Sequence, residues 1–211
     1  MSADTTPRTI FHYFSIHSPW AFLGYAPFAE VARRHGLRVE HRPVQLGELF
    51  SQTGGLPLPR RHPARQRYRM TELKRWREKR GVEFELKPAF WPYEPALADR
   101  AVIATIVAGI DPDPLIRRLF AGVWQRQENM ADPAALLGVL AELGISADVL
   151  IEAAGTAIAG IYAANQAKAV ETDVFGSPSY VLDGEVFWGQ DRIDLLDDAL
   201  TSGRAPFTPE A

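Results

Sequence analysis

The chain has 211 residues, 46% of them apolar and 23% charged, and a formal charge of −3, a globular composition long enough to bury a substantial core. That excludes collagen-like, disordered and disulfide-framework classes. With no cysteine, the chain owns no thiol for redox work, no thiolate nucleophile and no sulfur ligand for zinc or an iron–sulfur cluster, so sulfur chemistry here needs a borrowed thiol.

Met1 to Arg8 hold no apolar stretch ahead of a small-residue cleavage site. The longest apolar run, Ala101 to Ile110, falls well short of the roughly 20 residues that span a bilayer. A cytoplasmic protein with no membrane partner is the expectation. Thr9 to Ser15, rich in β-branched and aromatic residues, predict a strand that stops at Ser18-Pro19. Ser18 suits an N-cap and Pro19 the first helical position, so a helix starts there. Its apolar spacing runs to Arg33-Arg34-His35 with Gly36 as its stop, and Pro27 predicts a bend. Leu37 to Pro43 read as a second strand, completing a β-α-β unit whose crossover favours parallel pairing.

Strand signals then vanish and helix signals recur. Asp113-Pro114 and Asp132-Pro133 read as N-cap plus N1 pairs, and Gly144 closes a run with Leu136, Leu140 and Leu143. Ser179 to Leu182 and Glu185 to Trp188 read as two strands around Asp183-Gly184, a type I′ hairpin dipeptide, followed by a helix from Ile193 to Leu200 with Gly203 as its stop. Arg204 to Ala211 read as a tail. Neither two-strand piece is stable alone, so the two ends of the chain must pair.

Three local patterns carry possible chemistry, each beside a plain structural alternative. Ser18-Pro19 at a strand-to-helix junction is either a helix cap or, through free N–H groups and the positive dipole end, an anion site suited to a thiolate. Ser177-Pro178 is either an ordinary strand entrance or a cis bond that turns the Ser177 backbone toward an extended peptide-like ligand. Asp191 either caps the last helix, with Arg192 in solvent, or joins Gln190 in binding the charged ends of a ligand. Arg60 to Arg80 carry ten of the 23 Lys and Arg, but the helical spacing of Met70, Leu73 and Trp76 makes these the wet face of an amphipathic helix rather than a nucleic-acid surface, with one or two arginines pointing into a cleft. The five histidines show no zinc spacing, and no nucleophile-elbow or phosphate-loop pattern occurs.

Taken in order, Tyr13-Phe14, Ser18-Pro19-Trp20-Ala21-Phe22-Leu23-Gly24, Arg65 to Trp76, Phe90-Trp91-Pro92, Ala121 to Trp124, and Phe175-Gly176-Ser177-Pro178 through Asp183 to Arg192 resemble the 2-hydroxychromene-2-carboxylate isomerase and kappa-class glutathione transferase family. The resemblance covers nearly the whole chain. It implies an α/β, thioredoxin-like fold of Dsb type with a large all-helical insertion: a discontinuous domain of residues 1–45 and 172–211 around an insertion of residues 46–171. It also implies glutathione as cofactor. Ser18 would then hydrogen-bond the glutathione sulfur, Pro19 and Trp20 would line the sulfur end, Ser177 before a cis-Pro178 would clamp the cysteinyl part, and Gln190 and Asp191 would hold the γ-glutamyl part. Gly55 falls in a further glutathione loop, and Arg65 and Trp91 fall on the side of the aromatic acid substrate. The activity implied is reversible thiolate addition to a conjugated carbon, bond rotation and departure, in a homodimer. Transferase or peroxidase activity of kappa type, and a silent binding module, are the alternatives. The chain departs from the family in having Ser15 where Asp is frequent, Ala21-Phe22 for Ser-Tyr, Gly55 for Asn and Arg65 for Lys.

Overall fold

β1 (Thr9–Phe14) alternates Ile10, His12 and Phe14 with Phe11 and Tyr13, so it offers apolar surface to both of its faces and takes the interior of a sheet. A computed structural model describes residues 7–209. Met1 to Thr6, on which the expectation of no apolar leader falls, and the last two residues of the expected tail lie outside the described residues. α1 (Pro19–Arg34) starts on Ser18 as N-cap, carries Pro27 inside it without ending, and leads to β2 (Arg38–Pro43), which pairs parallel to β1. β3 (Ser179–Leu182) pairs antiparallel to β1 and to β4 (Glu185–Trp188), giving the sheet order β2-β1-β3-β4. The β3–β4 turn has positive φ at both Asp183 (50°) and Gly184 (88°), the conformation that a two-residue hairpin of this twist requires. The expected union of the two ends of the chain therefore runs through β1 and β3.

The β1–β2 register sets His12 Nδ1 3.0 Å from His41 Nδ1. Burial lowers the pKa of both rings, so this pair is neutral and one ring donates to the other.

Between β2 and β3 the chain is helical: α2 (Leu46–Thr53), a 3-10 turn at Leu58–Arg60, α3 (Pro63–Arg80), α4 (Ala96–Val107), α5 (Asp113–Trp124), α6 (Pro133–Glu142), α7 (Asp148–Ala154) and α8 (Thr156–Glu171). A 3-10 turn at Gln190–Arg192 precedes α9 (Ile193–Ser202), which Gly203 ends in left-handed conformation. Asp132 caps α6 through the Ala134 N–H, as its position before Pro133 predicts. Asp113 does not cap α5. It lies inside the first turn, Asp111 Oδ1 accepts its N–H, and its carboxylate is taken by Tyr25 Oη and Arg117. The segment after Gly203 is not a free tail over its described length: Arg204 forks onto Glu185 at 2.7 and 2.8 Å, and the Phe207 N–H donates to the same carboxylate.

One sheet face packs Ile10, Tyr180, Leu182 and Phe187 against Phe28 and Val31 of α1 and Ile193 and Leu196 of α9. The other packs Tyr13 and Val181 against Leu49 of α2 and Ala169 of α8. A third, larger cluster joins Phe14, Ile16 and the first turns of α1 to α4, α5, α6 and α7, so the inserted helices share a core with the β1–α1 junction. α1 also approaches the sheet closely at Gly24, where a Cβ would come within 2.8 Å of both Gln190 Cβ and Tyr180 Oη.

Candidate active site

The parallel β1–α1–β2 unit points the N-terminus of α1 out past the end of the sheet, and the chain entering β3 returns beside it. Ser18, only 4% exposed, caps α1: its Oγ accepts the Ala21 N–H at 3.2 Å, and its carbonyl accepts the Phe22 N–H. Pro19 has no N–H, which leaves that of Trp20 as the first-turn donor not engaged by the cap. The same Ser18 hydroxyl donates to the Ser177 carbonyl at 3.0 Å. Both local readings of Ser18, cap and anion site, thus rest on one hydroxyl whose proton already points across to the proline loop.

The Ser177–Pro178 bond is cis, and so is Trp91–Pro92. The loop is locked from several sides. Ser177 Oγ accepts the Ser15 N–H at 3.2 Å, Ser179 Oγ donates to Gly176 O at 2.9 Å, and the Gly189 N–H donates to Pro178 O at 2.9 Å. A Cβ at Gly176 would lie 2.2 Å from Trp188 Nε1, so only glycine lets the Trp188 indole approach here.

Beneath the β1–α1 turn sits Asp99 of α4, fully buried. Its carboxylate accepts the Ser15 hydroxyl at 2.8 Å, the Ile16 N–H at 2.9 Å and the Tyr162 hydroxyl at 3.0 Å. Burial pushes its pKa up to about 7, while these three donors pull the other way. From Asp99 a chain of bonds runs through Ser15 and Ser177 to the Ser18 hydroxyl.

A cleft of about 350 Å³ opens against this junction, within the range of small-molecule sites. Trp20, Ser177, Gln190 and Asp191, all expected at the site, line it together with Arg61 and Phe50. A larger groove of about 690 Å³ along β2 shares none of these groups and has no link to Ser18.

The other expected residues fall less simply. Gln190 is nearly buried, and Arg80 of α3 grips its side-chain oxygen (3.0 Å) and its backbone carbonyl (3.1 Å), so the amide NH₂ is what remains for a ligand. Asp191 does not cap α9. It pairs with Arg192 and leaves its carboxylate exposed at the cleft wall. Gly55 does not line the cleft but lies under Phe50, where a Cβ would meet the ring at 2.8 Å. Trp91 does not line the cleft; its indole N–H donates to the carbonyl of His17, the residue before Ser18, at 3.1 Å. Arg65 is exposed and outside the cleft; of the basic run it is Arg61 that reaches the lining. His17 abuts Ser18 in sequence only. Burial, helped by Arg69, lowers its pKa to about 4, so it is neutral at physiological pH.

Sequence reasoning missed Asp99 and Tyr162, and it expected one or two arginines of the basic run in a cleft without singling out Arg69 or Arg80. Each reaches the site from a helix distant in the chain, and only the placement of a charged residue within the apolar α4 pattern marks Asp99 in advance.

A β-α-β unit completed by an antiparallel hairpin, with a capped helix end facing a cis-proline loop, defines the thioredoxin class. A family model described as a DSBA-like thioredoxin domain matches residues 9–201, and the chain belongs to that family. It is 29% identical over 196 residues to a 2-hydroxychromene-2-carboxylate isomerase of Sphingobium xenophagum, across 92% of this chain and 98% of that protein. It is 26% identical over 206 residues to human glutathione S-transferase kappa 1, across 90% of this chain and 89% of that protein. A solved 2-hydroxychromene-2-carboxylate isomerase superposes with a TM-score of 0.81 at 21% identity, covering 92% of this chain and 95% of that one. The resemblance read from the sequence, and its thioredoxin-like fold, are borne out. These curated relatives carry the names of isomerases and of a kappa-class glutathione transferase.

Proposed function

We propose that the protein is a glutathione-dependent isomerase acting on 2-hydroxychromene-2-carboxylate or a closely related aromatic breakdown acid. One observation carries the reading: in a chain without cysteine, a serine hydroxyl stands at the helix N-terminus against a cis-proline loop, beside a cleft of ligand size. The residues fit glutathione. The Ser177 backbone suits pairing with a cysteinyl backbone, the Asp191 carboxylate suits an ammonium group, and Arg61 and the Gln190 amide offer donors to carboxylates.

When bound, glutathione supplies the thiolate that adds reversibly to a conjugated carbon of the acid. Ser18 turns its proton from Ser177 O to the sulfur, which frees that carbonyl to accept an N–H from the ligand. The Trp20 N–H and the α1 dipole add positive potential at the same point. Together they bring a thiol of pKa about 8.5 to about 7, raising the thiolate fraction at pH 7 from a few per cent to about half. Pro19 and Trp20 keep water from the sulfur end. In this reading the residues 1–45 and 172–211, joined by Arg61 of the insertion, carry glutathione, the rest of the insertion of residues 46–171 supplies the wall for the acid, and the enzyme works in the cytoplasm as a homodimer.

Turnover of chromene-carboxylate should require glutathione yet leave the free thiol concentration unchanged. Stoichiometric loss of thiol would transfer the assignment to the kappa-type transferase or peroxidase activity that the human relative favours.

A further inference from the structure

Of the half-buried cations near the cleft, Arg80 holds Gln190, and Arg61 gives its Nε–H to Leu56 O at 2.7 Å while its fork faces the glutathione side. Arg69 of α3 is different. It is half-buried, it pairs with no carboxylate among the described residues, and its hydrogen-bonding neighbour is the Met70 sulfur at 3.8 Å. Its guanidinium lies over the Trp91 indole, 5.0 Å from the ring centroid. Trp91 in turn is hydrogen-bonded to the backbone of His17, the residue before Ser18. This cation therefore stands one aromatic ring away from the thiol end of the site, on the insertion side.

Its surroundings offer no compensation. The charge beside it is another arginine, Arg61, and His17 is neutral, so burial and Arg61 together lower the Arg69 pKa to about 10. Two further polar atoms of the same cluster, His17 Nε2 and Tyr93 Oη, are buried without partners, and both rings pack around the site, the His17 centroid 5.2 Å from that of Trp91 and 5.2 Å from that of Tyr93. A partly desolvated, unpaired guanidinium is costly unless an anion arrives to meet it. Seated on an indole face, its N–H fork suits a planar carboxylate, and the ring beneath suits a flat conjugated body.

We propose that Arg69, seated on Trp91, is the carboxylate anchor for the second substrate, a flat aromatic or conjugated acid. This rests on the glutathione-dependent reading above for its place in the reaction, but not for its test. Arg65, expected from the sequence on the substrate side, is replaced in that role by a residue one helical turn further on.

The test is calorimetric titration, without glutathione, of trans-2-hydroxycinnamate and its uncharged methyl ester. The parent chain should bind the acid about tenfold or more tightly than the ester, as loss of a charge-assisted contact implies. Arg69→Met should abolish that preference, and Arg69→Lys should keep part of it, which also serves if the methionine variant fails to fold. Equal binding of acid and ester by the parent, or a preference that survives in both variants, overturns the proposal. Glutathione titrated into Arg69→Met should bind within about twofold of the parent; a tenfold loss would assign Arg69 to a glutathione carboxylate instead and overturn it equally. Failure of the parent to bind glutathione while the acid preference holds would sink the isomerase reading alone.

Discussion

Ser18 performs two jobs with one oxygen, accepting from Ala21 and donating to Ser177. Ser18→Ala should therefore cost about 1–2 kcal/mol of stability in chemical denaturation, the range for a lost cap and an unmet carbonyl. Asp99 makes a second prediction at this scale. Its folded pKa of about 7 lies above the usual 3.8, so between those values the native state holds a proton that the unfolded state has released. The stability it contributes is complete below about pH 4 and is lost as pH rises through 7, a change of about 4 kcal/mol at roughly 1.4 kcal/mol per unit. His12, His17 and His41, lowered by burial, tilt stability the opposite way. The Asp99 contribution is therefore read as the difference between parent and Asp99→Asn across pH 4 to 7. The variant should gain on the parent as pH rises, and parallel curves would contradict the role given to this carboxylate. The carboxylate that holds Ser15 comes from α4, 84 residues further along the chain, and no local pattern in the sequence announces that pairing.

At the scale of elements, legibility follows the range of the interactions. Ser18-Pro19, Asp132-Pro133, Asp183-Gly184 and Gly203 each specify backbone geometry within a few residues, and α1, α6, the β3–β4 hairpin and the end of α9 fall where these residues place them. Asp113 failed as a cap because Asp111, two residues earlier, took the free N–H, while Tyr25 from α1 and Arg117 claimed the Asp113 carboxylate. The cis state of Ser177–Pro178 depends on partners across the fold, so local sequence left it open. At Gly24 α1 lies close against the 3-10 turn that holds Gln190. Gly24→Ala should lower stability by about 1–3 kcal/mol, the cost of overpacking, and weaken glutathione binding by moving Gln190, whereas Gly160→Ala, on α8 with open space around it, should do neither. Equal effects of the two substitutions on glutathione affinity would show that the α1–Gln190 contact does not shape the site.

At the scale of the whole molecule, the inserted helices are not an appendage. The cluster around Phe14 and Ile16 extends without a break into α4, α5, α6 and α7, and Trp124 of α5 donates its indole N–H to Ile16 O. The β1–α1 junction, and with it Ser18, is thus built by both parts of the chain, and thermal unfolding should be one transition by both far- and near-ultraviolet dichroism. The missing cysteine gains meaning only at this scale, since the fold presents a helix end, a hydroxyl and a proline loop around a point where the chain itself has no sulfur. The most direct test is the ultraviolet titration of the glutathione thiol bound to the parent and to Ser18→Ala. The parent should hold the thiol pKa near about 7, and the variant should let it return toward the free value of about 8.5. The same pKa in both proteins, or no binding by the parent at millimolar glutathione, would contradict the account.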